Sequence, residues 1–141
     1  MVGRVSPRAR RLTRAESQER TRQQLVEAAT KLFLRDGFRA TTLEQIGEAA
    51  GYTRGAVYSN FASKTEMGIA VIDGLYAEVD HRLGLALREK DWLAALIKWA
   101  DESIGDPAWM RLELEIAASS AADDTYLAAT AARYERLRRR G

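Results

Sequence analysis

Apolar side chains recur at the spacing of an α-helix along most of this chain. A stripe that includes Leu25 and Phe33 predicts a first helix over about residues 21–36. A shorter stripe predicts a second helix over residues 43–50, and a three-residue turn that begins with Gly51 separates it from a third short helix. Two short helices joined by such a glycine-containing turn are typical of a helix-turn-helix.

Three of the predicted helices begin with a hydroxyl residue that is followed three positions later by Glu or Gln. The pairs are Thr21 with Gln24, Thr42 with Gln45, and Ser63 with Glu66. At this spacing the hydroxyl accepts a hydrogen bond from the amide of the third helical residue, whose side chain accepts one from the amide of the cap. The third pair opens a long fourth helix.

The remainder of the chain is also predicted to be helical. Further helices are expected to begin near Asp91, Asp106 and Asp123, each followed by an apolar stripe. Pro107 follows Asp106, and proline is favoured at the first position of a helix. Frequent Ala and Leu, with only 2 prolines, support the same interpretation. The predicted fold class is therefore all-α.

Basic residues are concentrated in the first half of the chain. Residues 1–64 hold 12 Lys and Arg against 6 Asp and Glu, whereas residues 65–141 hold 10 against 14. This asymmetry predicts that the first half faces a polyanion. The alternative is an ordinary solvated surface with a disordered basic tail.

Composition also limits the classes of function. The chain has no cysteine, which excludes disulfides and fits a cytoplasmic protein. No apolar run is long enough to span a bilayer, and none follows the N-terminal arginines as in a secretory signal. His81 is the only histidine, and the sequence has no nucleophile or phosphate-binding motif. We therefore expect no catalytic residues, no metal, no cofactor and no enzymatic activity.

A dense pattern of residues with fixed spacing lies between about Arg20 and Met67. Its members are Leu32-Phe33, Gly37-Phe38, Thr41-Thr42, Ile46-Gly47, Ala49-Ala50-Gly51-Tyr52, Gly55, Val57-Tyr58, Phe61 and Ser63-Lys64. This pattern resembles the DNA-binding core of the tetracycline-repressor (TetR) family. Gly47 and Tyr52 stand where the family usually has alanine and valine, and we expect these departures to affect packing rather than function. The resemblance implies a homeodomain-like three-helix domain over residues 21–67, with its motif at 42–61 and double-stranded operator DNA as partner.

The third helix is expected to present its first residues to base edges in the major groove. The predicted DNA-binding residues are Thr42, Thr53, Arg54, Gly55, Ala56, Tyr58, Asn60 and Lys64. Arg54 reaches a guanine edge or a phosphate, Tyr58 a phosphate, and Asn60 a base or a phosphate. The cap at Thr42 and the charge of Lys64, which opposes the dipole of its own helix, predict further phosphate contacts. The alternatives are a solvated Arg54 and a Tyr58 in the core.

Residues 68–141 are expected to form a helical effector-binding and dimerisation region. In the TetR family the fourth helix joins the DNA-binding domain to such a region, which implies an unknown small-molecule effector and a homodimer. The predicted pocket residues are Trp92, Trp99, Trp109 and Met110, with plain core packing as the alternative. Family members usually continue with two further helices that form the dimer interface, so this region is expected to be truncated and to dimerise poorly.

Residues 1–20 are predicted to be a flexible basic arm, since they hold several arginines and no helical stripe. Together these features predict a ligand-responsive repressor, in which an effector tilts the fourth helix and changes the separation of two DNA-binding domains. One alternative is a helix-turn-helix protein that is not a repressor. The other is a helical interaction module whose basic arm binds an acidic partner.

Overall fold

The computed structural model describes residues 10–104 and 106–140. Over these residues the chain forms seven α-helices and no β-strand, which confirms the predicted all-α class. The helices are α1 (Arg14–Asp36), α2 (Leu43–Ala50), α3 (Arg54–Asn60), α4 (Lys64–Ala86), α5 (Trp92–Ile104), α6 (Pro107–Ser119) and α7 (Asp124–Arg138). The predicted bounds of α2 are confirmed, and each of the later helices starts one residue after its predicted cap.

The first helix begins seven residues earlier than predicted, at Arg14 rather than Thr21. Thr13 and Glu16 form a capping box, in which the Glu16 amide donates to Thr13 Oγ1 at 3.1 Å and the Thr13 amide donates to Glu16 Oε2 at 3.0 Å. Thr21 lies inside the helix, where its hydroxyl donates to the carbonyl of Ser17 at 3.0 Å. The predicted arm over residues 1–20 is therefore wrong for residues 14–20, and residues 1–9 lie outside the described part of the chain.

The other two predicted start signals are present, with one difference. At Thr42 the capping box with Gln45 is complete. At the start of α4, Ser63 accepts from the Glu66 amide at 3.2 Å, but the Glu66 carboxylate accepts from the amide of Ala62 at 2.8 Å. The Glu66 carboxylate therefore accepts from the amide of the residue before the cap, Ala62, instead of from the amide of Ser63.

The first three helices and the start of α4 enclose one apolar core. Its members from this part of the chain are Leu25, Ala29, Phe33, Phe38, Leu43, Ile46, Val57, Phe61, Met67, Val71 and Ile72. The rings of Phe33 and Phe38 pack edge to face with centroids 5.1 Å apart. Phe61 is fully buried in this core.

Two glycines let α2 pack closely and end sharply. Gly51 caps α2 in the left-handed conformation, with φ of 78°. At Gly47 a β-carbon would lie 2.7 Å from Cγ2 of Val57, so α2 and α3 are too close here for a side chain. The glycine at this position therefore serves helix packing, as predicted.

The core continues into the second half of the molecule. Leu112 and Ile116 of α6 are buried in the same cluster as the first three helices, and Gly68 of α4 allows the close approach of Ile116. The boundary predicted at residue 67 therefore falls inside one continuous core. No helix of the described residues is long and apolar enough to cross a membrane.

Candidate nucleic-acid interface and effector cavity

The outer side of α3 carries four of the eight predicted DNA-binding residues. Thr53 caps this helix by accepting a hydrogen bond from the Ala56 amide at 3.2 Å. The opposite side of the helix is anchored by Val57, which is fully buried. The exposed residues of the outer side are Thr53, Arg54, Gly55, Tyr58 and Ser59.

Glu44, on the neighbouring helix α2, holds two of these side chains together. The Tyr58 hydroxyl donates to Glu44 Oε1 at 3.1 Å, and a guanidinium nitrogen of Arg54 lies 3.7 Å from the same oxygen. The Arg54 guanidinium also stacks over the Tyr58 ring, 5.3 Å from its centroid. Bonds from its own backbone amide and from Tyr58 lower the pKa of Glu44 below the usual range. The arrangement presents Arg54 and Tyr58 as one exposed unit.

Sequence reasoning did not identify Glu44. Its acidic side chain lies on a surface that we predicted to face a polyanion, and nothing in the local pattern links residue 44 to residues 54 and 58. Only the packing of α2 against α3 brings the three together.

The first turn of α2 offers fewer open donors than predicted. The Gln45 amide donates to Thr42 Oγ1 at 3.2 Å, and the Thr42 amide donates to Gln45 Oε1 at 2.9 Å. The capping box therefore already uses two of the amides from which we expected a phosphate site.

Lys64 contacts the turn between α1 and α2. Its Nζ donates to the carbonyl of Thr41 at 3.0 Å and lies 4.5 Å from the ring centroid of Phe38. Burial lowers the pKa of Lys64, and the nearby charge of Glu115 opposes that shift. The half-buried side chain thus joins the start of α4 to the turn that precedes α2.

Asn60, the last residue of α3, bonds to its own helix. Its amide nitrogen donates to the carbonyl of Ala56 at 2.8 Å, and its main-chain carbonyl accepts from Arg22 of α1 at 3.0 Å. This bond uses one of the two N–H donors of the Asn60 side-chain amide.

Three of the four predicted pocket residues share a cavity of about 200 Å³ between α4, α5 and α6. Trp99, Trp109 and Met110 line it, whereas Trp92 does not and is 51% exposed. The prediction for Trp92 is therefore wrong in this structure, because it lies at the first turn of α5, away from the packed side.

The cavity has polar as well as aromatic walls. Trp109 packs edge to face on Tyr76, whose hydroxyl donates to Glu113 at 2.8 Å. Burial, followed by this hydrogen bond, raises the pKa of Tyr76 to about 12. Among the described residues, the indole nitrogen of Trp109 and the hydroxyl of Ser103 are buried without a hydrogen-bond partner. Both residues line the cavity. Sequence reasoning missed Tyr76, Ser103 and Glu113.

Two short helices joined by a glycine turn, with an exposed second helix, define the class of helix-turn-helix proteins. A family model described as "Bacterial regulatory proteins, tetR family" matches residues 25–71. The uncharacterized HTH-type transcriptional regulator TtgW of Pseudomonas putida is 39% identical over 93 residues, which are 64% of this chain and 68% of TtgW. The chain therefore belongs to the tetR family.

In two other similar proteins, the region that matches this chain is only part of their length. The probable HTH-type transcriptional regulator ArpR of Pseudomonas putida is 44% identical over 86 residues, which are 61% of this chain and 40% of ArpR. A solved TetR-family transcriptional regulator from Pectobacterium atrosepticum is 29% identical with a TM-score of 0.61, over 79% of this chain and 59% of that chain. The chain thus spans less than two thirds of the length of both.

Proposed function

We propose that this chain represses transcription by binding operator DNA, with α3 in the major groove. The observation that carries the proposal is the outer side of α3, where Arg54 and Tyr58 are exposed above a fully buried Val57. Because the helix is anchored from behind and capped at Thr53, its exposed side chains are held on a rigid element, as base recognition requires. The family and the relatives named as HTH-type transcriptional regulators support the proposal.

The eight predicted residues have different roles in DNA binding. Gly55 and Ala56 let the backbone approach the bases, while Arg54 contacts a guanine edge or a phosphate. The remaining polar contacts to the DNA come from Thr42, Thr53, Tyr58, Asn60 and Lys64. When DNA binds, an acceptor atom of the DNA replaces Glu44 as the partner of Arg54. DNA sequences that offer Arg54 no hydrogen-bond acceptor therefore bind less tightly.

Release by an effector is the second part of the proposal. A small molecule in the cavity between α4, α5 and α6 would contact Trp109, at the start of α6. The same helix carries Glu115, whose carboxylate accepts from the backbone amides of Phe38 and Arg39 in the turn before α2. A shift of α6 is therefore transmitted directly to the DNA-binding helices. The proposed role requires no catalysis, and it implies a cytoplasmic location, where bacterial operator DNA lies.

Fluorescence anisotropy with labelled genomic duplexes, including the promoter beside the protein's own gene, tests DNA binding. We expect one fragment to bind more tightly than the rest, with affinity that falls as salt rises. Arg54→Ala should bind this fragment more weakly than the wild type does. Arg138→Ala, which removes the same charge from α7, should bind it as tightly as the wild type. Equal affinity of the wild type for all fragments, or equal behaviour of the two variants, would contradict the proposal.

A further inference from the structure

A second cavity, of about 370 Å³, lies between α4 and α7 and does not belong to the effector site. Charged side chains of α4, of α7 and of the residues just after α7 line it: Asp73, Asp80, Arg133, Arg136 and Arg140. Its volume is within the range of small-molecule sites.

Arg133 is the most buried charged residue of this cavity, with 4% of its surface exposed. Its Nε donates to Asp73 Oδ1 at 2.7 Å, and its guanidinium carbon lies 5.4 Å from the ring centroid of Tyr76. Its Nη2 is buried without a hydrogen-bond partner among the described residues. A buried donor of a charged group is costly when unpaired, so this atom marks a position that favours an acceptor.

The charges around the cavity are also unbalanced. Arg136 lies 3.6 Å from the same Asp73 oxygen that Arg133 uses, so two guanidinium groups share one carboxylate oxygen. Arg140 pairs with Asp80. Three guanidinium groups thus face two carboxylates, which leaves one positive charge without a counterpart. A ligand with a single negative charge neutralises the site, whereas a dianion would leave it negative.

We infer that the cavity between α4 and α7 binds a small organic carboxylate. The carboxylate group pairs with the guanidinium groups of Arg133 and Arg136, a geometry that arginine favours. The hydrocarbon part of the ligand lies against Tyr76, Ala77 and Leu137, which line the same cavity. The inference does not rest on DNA binding or on the effector cavity, although Tyr76 borders both cavities.

Isothermal titration calorimetry on the whole chain, with benzoate, benzamide and inorganic phosphate as probes, tests this site. Benzamide has the ring of benzoate without its charge, so we expect it to bind at least about tenfold more weakly. Arg136→Gln removes one cavity guanidinium and should weaken benzoate binding by about tenfold. Arg138→Gln makes the same change on the same helix outside the cavity, and should leave benzoate binding unchanged.

Arg133→Gln gives a second measurement, with circular dichroism to verify that the variant is folded. A folded Arg133→Gln protein that has lost benzoate binding supports the site. The inference is overturned if benzoate does not bind or binds no better than benzamide. It is equally overturned if phosphate binds more tightly than benzoate, or if Arg136→Gln and Arg138→Gln bind benzoate with the same affinity.

Discussion

The carboxylate of Glu115 accepts a hydrogen bond from the backbone amide of Arg39 over a distance of 2.7 Å. Its other oxygen accepts from the amide of Phe38 at 3.2 Å. Glu115 belongs to α6, whereas both amides lie in the turn between α1 and α2. The helix that borders the aromatic cavity is therefore bonded directly to the segment that positions α2.

Glu115→Ala should lower the free energy of unfolding by about 1–3 kcal/mol, because two backbone amides lose a charged acceptor. Urea unfolding at neutral pH measures the change. Glu78→Ala, at an exposed position of α4, is the matched control and should alter stability far less. Equal effects of the two substitutions would show that the Glu115 bonds contribute nothing to stability.

Arg54→Ala should relax specificity at one base pair of the operator, by roughly 1–3 kcal/mol if the contact to guanine is bidentate. Competition binding against operators with single base changes measures this. A uniform loss across all operator variants would instead assign Arg54 to a phosphate.

Glu44→Gln tests the acidic residue that holds Arg54 and Tyr58. The amide oxygen still accepts from Tyr58, but the negative charge beside the DNA is gone. We expect tighter binding to every duplex, because a charge that repels phosphate has been removed. Unchanged affinity at low salt would show that Glu44 lies away from the DNA backbone.

Lys64→Ala should weaken binding to all duplexes to a similar degree and lower the slope of log affinity against log salt by about one. The substitution also removes the bond from Nζ to the Thr41 carbonyl, so thermal unfolding is measured in parallel. A loss of stability with an unchanged salt slope would assign Lys64 a purely structural role.

Tyr76 should make stability depend on pH in the alkaline range. Its pKa is raised from 10.0 to about 12 in the folded protein, so its protonated form is favoured by folding. This contribution is fully present below pH 10 and is lost as pH rises from 10 to 12. Tyr76→Phe should therefore lose less stability across that interval than the wild type.

Urea unfolding at pH 9, 10, 11 and 12 compares the two proteins over the interval that the shift defines. Tyr58→Phe serves as the control, because the Tyr58 side chain is exposed on the outer side of α3. If Tyr76→Phe follows the wild-type curve at every pH, the raised pKa of Tyr76 has no effect on stability.

Local signals were enough to predict α2, the turn and α3. A capping box at Thr42, a glycine at the left-handed cap and an apolar stripe all lie within a few residues of one another, and each has a local physical cause. The start of α1 was missed because its first turns have no apolar stripe. The capping box at Thr13 and good helix formers support them instead.

The contacts of Glu44, Glu115 and Arg133 could not be predicted from sequence. Each joins two helices that are distant in the chain, such as Glu115 of α6 and the turn after α1. Periodicity shows which side of a helix is apolar but not which charged residue of another helix lies opposite. The sequence likewise does not show that Trp92, at the start of α5, is half exposed.

We expect the 141-residue chain to self-associate weakly, with a Kd of about 1 μM or weaker. Two DNA-binding helices enter successive major grooves only if they are held roughly 34–36 Å apart. A stable interface for that purpose buries roughly 1,600 Å² in total. The exposed apolar side chains of the second half are distributed over α4, α5, α6 and α7 and include Leu85, Leu93, Ile97, Met110, Leu114, Leu127 and Tyr134. Sedimentation velocity over a concentration series measures the association, and a single dimer species at nanomolar protein would show that α5, α6 and α7 already form a complete interface.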